Sequence, residues 1–304
     1  RVISMWALAA CLVAAAAGWM FMRFGQAWSV ADLPESDNIS RIVPAYLIAE
    51  IMMIPIVGKV ADKIGCRRAL FIGSVIFIIG SMLSIVTPSV ELLIVFRFIQ
   101  GIGAGFLLIL PFVAVGKYYP RESRGKCNEL MTASFALGSL FGTSVGYFFT
   151  DLINWRAGFV VLAVIVLIGT MVAWKFLPEQ EGTGERLDTF NLILVTALFG
   201  ISAYYTQTVN SDFKIFSPIS ICFLAVIVVL FIAVMVQSRK SFNPTIPTGV
   251  SIFEKKLIFL MFMFSMCGLG LIQYLFKMYL TTYEFDVYKG SFNFILLLLG
   301  AAIP

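Results

Sequence analysis

The sequence predicts an all-α protein that crosses a membrane many times. Of its 304 residues, 60% are hydrophobic and only 13% are charged, whereas soluble domains are nearer half apolar and a quarter charged. The apolar residues form runs of about 20, the length that spans a bilayer as a helix. Short polar segments that contain Lys and Arg separate these runs. These observations indicate a polytopic membrane protein.

Ten apolar runs are expected to form membrane-spanning helices, the last of them only in part. The first run follows Arg1, as a signal peptide would, but its length and the similar runs behind it favour a helix. The ten runs cover residues 3–24, 42–58, 69–87, 92–116, 129–150, 157–177, 189–209, 214–237, 257–281 and 291–304.

The Lys and Arg residues are distributed unevenly between the two sides of the predicted helices. Most of them fall in the segments after spans 2, 4, 6 and 8, and few fall in the segments on the opposite side. Because Lys and Arg are enriched in cytoplasmic loops, this pattern predicts a multi-pass protein of the cell membrane with a cytoplasmic N-terminus. The same asymmetry explains the net charge of +5 without a nucleic-acid partner.

Several kinds of chemistry have no support in the sequence. It contains no His, which removes the commonest proton shuttle, metal ligand and catalytic base. The five Cys are scattered, and no phosphate-binding or zinc-protease motif is present. A membrane-embedded enzyme would also need paired carboxylates or a metal cluster at membrane depth, and the acids within the apolar runs are isolated. We therefore predict no enzyme activity, no cofactor and no metal site, and any proton coupling must use carboxylates.

The most distinctive segment is GKVADKIGCRR, which begins at Gly58 and lies between the second and third apolar runs. It contains four cations and one acid, and it is expected to form a short basic loop on the cytoplasmic side. Gly58 and Gly65 allow helix ends to approach closely and turn sharply. The order of Gly58, Asp62 and Gly65, followed by Arg67 and Arg68, resembles the signature loop between helices 2 and 3 of the major facilitator superfamily.

Span 4 contains a second motif, RFIQGIGAG, which begins at Arg97. Arg97 and Gln100 are three residues apart and share a helix face. Gly101 and Gly105 form a ridge of small residues that a neighbouring helix can approach. An Arg followed three residues later by Gln-Gly resembles the helix-4 motif of the same superfamily. The resemblance implies that Arg97 takes part in proton coupling, and a purely structural Arg97 is the alternative.

Span 5 carries Gly138, Gly142 and Gly146 on one face. This stripe resembles the helix-5 motif of the antiporters of the superfamily, but Thr143 stands where that motif has Pro. The pattern therefore keeps the close helix packing without the Pro kink. The Trp-Arg-x-x-Phe run that begins at Trp155 resembles the 14-helix drug-efflux branch.

The resemblance to the 14-helix branch also implies how the chain is divided. Residues 1–180 would form the N-terminal six-helix bundle, 181–256 two extra linking helices with a basic cytoplasmic loop, and 257–304 the start of the C-terminal bundle. The segment after span 8 contains Pro and has no second Gly-Asp-Gly-Arg loop, which a 12-helix member would repeat there. We therefore expect the major facilitator fold with its C-terminal part missing.

Two ionisable residues fall within or next to apolar runs. Glu50 lies about 12 Å along the helix from the end of span 2, and Arg23 lies at the end of span 1. A charge inside a membrane is costly and marks a candidate functional group. The alternatives are a Glu50 carboxyl hydrogen-bonded between packed helices and an Arg23 side chain that reaches the outer interface. Further candidates for cavity lining are Trp19, Phe21, Tyr46, Phe98, Gln273 and Lys277.

The sequence predicts a secondary active transporter of small molecules that performs proton-coupled efflux by alternating access. Glu50 would titrate, Arg97 and Gln100 would polarise the cavity, and the charged residues and glycines of GKVADKIGCRR would form a cytoplasmic latch. Span 1 lacks the acid that the drug-efflux branch carries there, which favours a neutral or anionic substrate over a cationic one. An uncoupled facilitator and a non-transporting sensor or scaffold of the same fold are the alternatives.

Overall fold

The computed structural model describes residues 2–33, 38–152, 154–179, 182, 188–208 and 217–240. The ninth and tenth predicted spans, with Gln273 and Lys277, lie outside these ranges. The described residues form one short 3-10 turn (Ile39–Arg41) and eight α-helices, and they contain no strand. The helices are α1 (Val2–Asp32), α2 (Ile42–Ile64), α3 (Cys66–Ile85), α4 (Val90–Tyr118), α5 (Arg121–Leu152), α6 (Trp155–Phe176), α7 (Thr189–Thr208) and α8 (Pro218–Lys240).

Seven of these eight helices are long and apolar enough to cross a membrane, which confirms the predicted fold class. The exception is α5, whose first turns carry the polar segment RESRGKCNE. The helix nevertheless extends through the predicted fifth span. The described part of the chain is therefore a multi-pass bundle of helices.

The predicted basic loop between the second and third spans is wrong, because this segment is almost entirely helical. α2 continues to Ile64 and α3 begins at Cys66, so Gly65 alone separates them. Gly65 has a φ of 88°, in the region that favours glycine. Its backbone N–H still donates to the carbonyl of Ala61, at 3.1 Å. Charged residues can extend a helix past its apolar run because their long side chains reach water.

Side-chain caps set the start of two helices. Ser89 precedes α4, and its hydroxyl accepts a hydrogen bond from the backbone N–H of Leu92 at 3.4 Å. Asn154 precedes α6, and its side-chain oxygen accepts from the backbone N–H of Arg156 at 2.9 Å. Such caps satisfy backbone donors that the first turn of a helix leaves free.

One hydrophobic core joins helices α1 to α6, from Ala7 to Leu177. α1 packs against α5 and α6, while α4 packs against α2 and α3. α3 and α6 also contact each other and close the group. Apolar side chains such as Ile79 and Met171 remain exposed on its outside, as expected for a surface that faces lipid.

Helices α7 and α8 form an antiparallel pair beside this core. α7 packs on α2, where Gly200 lies against the side chain of Met52. A small second cluster links the two helices, formed by Val195, Leu198, Ile227 and Val234. Hydrogen bonds tie the pair together near both ends, from Asn191 Nδ2 to Ser238 Oγ at 3.1 Å and between the hydroxyls of Tyr205 and Ser220 at 2.9 Å.

Candidate functional site

A buried network of polar side chains surrounds Arg97 in the first half of α4. Arg97 is 0% exposed, and its Nη1 donates to Gln100 Oε1 at 2.6 Å. Its Nη2 donates to the backbone carbonyl of Gly18 on α1, at 2.8 Å. Gln100 Nε2 in turn donates to the hydroxyl of Ser81 on α3, at 2.7 Å. Arg97 and Gln100 together therefore link α1, α3 and α4 by hydrogen bonds inside the bundle.

Aromatic rings complete the surroundings of the Arg97 guanidinium. Its Cζ lies 4.3 Å from the centroid of the Tyr46 ring and 5.7 Å from that of Phe159. Ring faces attract a cation electrostatically, more strongly where water is excluded. The Tyr46 hydroxyl donates to the backbone carbonyl of Ala15 at 2.8 Å, which ties α2 to α1. Phe159 packs edge-to-face against Phe21, with 5.2 Å between the ring centroids.

Glu50 follows Tyr46 by one helical turn on α2, so both lie on the same face. The residue is 4% exposed, and its carboxyl interacts electrostatically with Arg97 and Tyr46. No charged residue lies on α7, which packs on α2 from another side. Because ionisable groups are costly in an apolar interior, a buried acid and a buried arginine that interact electrostatically form the strongest candidate site in the described chain.

Two glycines allow α4 to approach α2 at this point. A Cβ on Gly101 would collide with the backbone carbonyl of Tyr46 and come within 2.9 Å of the Ala49 Cβ. A Cβ on Gly105 would come within 2.9 Å of the Glu50 carbonyl and 2.5 Å of the Met53 Cβ. The small residues of α4 therefore fit against the turn of α2 that carries Glu50.

The glycine stripe of α5 likewise allows α5 to approach α1 closely. A Cβ on Gly138 would come within 2.6 Å of the Val13 carbonyl oxygen, and one on Gly142 within 2.5 Å of the Ala17 carbonyl oxygen. Gly146 lies in α5, in a stretch outside the residues whose surroundings the structure describes. Gly138 and Gly142 thus bring α1 and α5 into backbone contact.

The acid of GKVADKIGCRR forms an ion pair with α4. Asp62 Oδ1 lies 2.8 Å from Lys117 Nζ, which also donates to the carbonyl of Ala61 at 3.3 Å. The pair joins the last turns of α2 and α4. The Asp62 side chain is 54% exposed, so water screens this attraction.

The two arginines of the segment face the end of α6. Arg67 Nη1 and Arg68 Nη2 lie 3.7 and 3.4 Å from the carboxylate oxygens of Glu179. The Arg67 guanidinium also lies over the ring of Trp174, 4.3 Å from its centroid. Gly58, by contrast, has open space where a Cβ would stand, with nothing within 4 Å among the described residues.

The sequence matches the Major Facilitator Superfamily over residues 8–304. The chain belongs to this superfamily. It is 30% identical over 218 residues to multidrug resistance protein 3 of Bacillus subtilis, which covers 71% of this chain and 43% of that protein. It is 27% identical over 219 residues to the multidrug export protein EmrB of Haemophilus influenzae, a match that covers 71% of this chain and 42% of that protein. The chain thus spans less than half the length of these relatives.

A solved structure extends the likeness to the fold of the superfamily. It comes from work titled "Structural insights into substrate recognition in proton dependent oligopeptide transporters". The match has a TM-score of 0.51 at 17% identity and covers 78% of this chain and 54% of that one. Membership of the superfamily and the multidrug-transporter relatives point to a transporter rather than an enzyme.

The remaining residues predicted from the sequence occupy different places in this member of the superfamily. Tyr46 and Phe21 are fully buried in the Arg97 network and its aromatic neighbours, while Phe98 is 37% exposed. Trp19 is partly buried against the main core. The side chain of Arg23 lies outside the described residues.

The sequence analysis does not predict four partners of the candidate residues: Gly18, Ser81, Lys117 and Glu179. For Ser81 the sequence contains a usable signal, because the small residues Ser74, Ser81 and Ser84 follow one face of α3. Such a stripe is typical of close contact between membrane helices. For the backbone carbonyl of Gly18 no sequence signal exists, because every residue has a carbonyl.

Proposed function

We propose that the full-length protein is a secondary active transporter that moves small molecules by alternating access, with protonation of Glu50 as the coupling step. The observation that carries the proposal is the buried Glu50 carboxyl beside the buried Arg97. In such a pair, loss or gain of one proton changes the net charge of the bundle interior. A change of this kind shifts the balance between two conformations that differ in how they accommodate the charge.

Arg97 acts in this proposal through Glu50 and not by direct contact with substrate. Its guanidinium is fully buried and is already bonded to Gln100 and to the Gly18 carbonyl. A fixed positive charge at this position stabilises the ionised form of a nearby carboxyl. Gln100 would hold that charge in place. Arg23 would then be the cation of the first span that can attract an anionic substrate.

Efflux of neutral or anionic molecules is the direction and substrate class that we propose. The names of the matched relatives, which include a multidrug export protein, support export. The segment from Ser4 to Phe24 contains no acid that could bind a cationic drug. Enrichment of Lys and Arg at one end of the helices supports a cytoplasmic N-terminus.

The segment from Gly58 to Arg68 is proposed to act as a cytoplasmic latch between conformations. Asp62, Arg67 and Arg68 form ion pairs with α4 and with the end of α6, and these are weak enough to exchange partners. The open space beside Gly58 leaves room for another helix to approach α2. The domain division of the chain into a first bundle, two linking helices and the start of a second bundle is part of the same proposal.

The decisive test is proton movement in proteoliposomes that contain the full-length protein. Gradients of neutral, anionic and cationic solutes are imposed on the wild type, Glu50→Gln and Glu129→Gln. Glu129 is an exposed acid on α5 and controls for loss of one negative charge. We expect solute-driven proton flux in the wild type and the control, and its loss in Glu50→Gln.

Two other results would contradict parts of the proposal. Coupled flux that persists in Glu50→Gln would keep a proton-coupled transporter but remove Glu50 from the coupling step. Solute movement without proton flux in the wild type would identify an uncoupled facilitator.

A further inference from the structure

The hydrogen bonds around Gln100 have only one consistent direction. The Ser81 hydroxyl donates to the carbonyl of Phe77 on its own helix at 2.8 Å. With its single proton used there, the hydroxyl can only accept from Gln100, so the Gln100 amide nitrogen must face Ser81. The amide oxygen then faces Arg97, which has only donors. Ser81 and Arg97 therefore require the same orientation of the Gln100 amide, and Ser81 is the acceptor that holds its nitrogen end.

Close packing of α3 and α4 makes this contact possible. A Cβ on Gly80 would come within 2.6 Å of the Gln100 backbone nitrogen and 2.7 Å of its Cα. The absence of that Cβ lets the neighbouring Ser81 reach the Gln100 side chain. Ser81 and Gln100 are both 0% exposed, so no water competes for their hydrogen bond.

Arg97 has no spare partner that could replace Gln100. Its Nε is buried and has no hydrogen-bond partner among the described residues. The other nitrogens donate to Gln100 and to the Gly18 carbonyl. If the Gln100 amide lost its orientation, Nη1 would also lose its acceptor, and the guanidinium would be held from one side only.

We propose that Ser81 is a positioning residue for the Arg97 charge, acting through the Gln100 amide. The inference rests on the proposed function, because the charge matters through its effect on Glu50. Among the described residues, the titratable groups that interact electrostatically with Glu50 are Tyr46 on its own helix and Arg97 on α4. The described helix α7 carries no charged residue, and the cations of α3 lie in its first turn, at the far end from Ser81.

The test is an infrared pH titration of the Glu50 carboxyl in the full-length protein, with Glu50→Gln used to assign the signal. Ser81→Ala removes the acceptor for Gln100, whereas Ser84→Ala is the matched control. Ser84 is also 0% exposed on α3, and its hydroxyl donates to the Gly80 carbonyl at 2.8 Å. We expect Ser81→Ala to displace the titration midpoint by about half a pH unit or more and Ser84→Ala to leave it unchanged.

A second substitution keeps the test valid if Ser81→Ala proves unstable. Ser81→Cys keeps nearly the same volume and offers a weaker acceptor, so it should displace the midpoint in the same direction. A midpoint equal to that of the wild type in both variants would overturn the role of Ser81 and leave the proposed function intact. If Glu50→Gln removes no titrating signal, Glu50 does not titrate, and both proposals fail together.

Discussion

Two arginines in neighbouring helices are held in opposite ways. Arg97 is fully buried and is bound by an amide oxygen, a backbone carbonyl and the faces of aromatic rings. Arg68 lies at the start of α3, has a side chain that is 58% exposed, and pairs with the carboxylate of Glu179. Inside the bundle, neutral dipoles in fixed positions hold the charge. At the end of the bundle, an ion pair that is exposed to water holds the charge.

The difference predicts which contacts support the fold and which can change during a conformational cycle. A buried group that loses its partner is left without water, so its contacts are costly to break. An exposed ion pair exchanges its partner for water or for another charge at little cost. We therefore expect the Arg97 network to stay intact while the ion pairs of Asp62, Arg67 and Arg68 rearrange.

The largest effect is expected from removing the buried charge. Arg97→Met should lower the free energy of unfolding by about 3 kcal/mol or more, because Gln100 and the Gly18 carbonyl lose their donor. Arg68→Met should change it by less than about 1 kcal/mol. Denaturant unfolding of the two variants in detergent measures both values. Equal losses would contradict the distinction between the two arginines.

A smaller effect is expected from closing the gap between α2 and α4. Gly101→Ala should destabilise the protein by about 1–3 kcal/mol, since its Cβ would collide with the Tyr46 carbonyl. Gly116→Ala, near the other end of α4, has nothing within 4 Å of the new Cβ. It should be neutral or stabilising by up to about 1 kcal/mol, because Ala favours a helix. Thermal unfolding of the two variants checks this, and a tolerated Gly101→Ala would show that α2 and α4 can separate.

The smallest effect is expected at the Asp62–Lys117 ion pair. A double-mutant cycle with Asp62→Asn and Lys117→Met should give a coupling energy of about 0.2–1 kcal/mol that decreases with added salt. The measurement is unfolding at low and high ionic strength. A coupling energy several times larger and insensitive to salt would show that this ion pair behaves like the buried contacts of Arg97 and not like an exposed pair.

The sequence was sufficient for the fold class because long apolar runs leave a membrane protein few other solutions. The ends of the helices are harder to predict from the sequence. The sequence predicts a loop at GKVADKIGCRR because its charges end the apolar run, yet only Gly65 interrupts the helices. Hydropathy reports where a chain can leave the membrane, whereas the hydrogen bonds of a helix can continue beyond that point.

The candidate site was predictable only where its residues share one helix. The spacing of Arg97 and Gln100 placed them on one face of α4, and a hydrogen bond joins them in the structure. Their partners on α1 and α3 depend on how the helices pack. The Gly18 carbonyl and the Ser81 hydroxyl are brought to Arg97 and Gln100 by packing that no single helix specifies.

The pair formed by α7 and α8 has a topological consequence. Both helices are long and apolar enough to cross a membrane, and two consecutive crossings leave the orientation of the flanking segments unchanged. The polar ends of the pair bond to each other, through Asn191 with Ser238 and Tyr205 with Ser220. A helical pair of this kind can therefore be added to a membrane protein without inverting the segments that follow it.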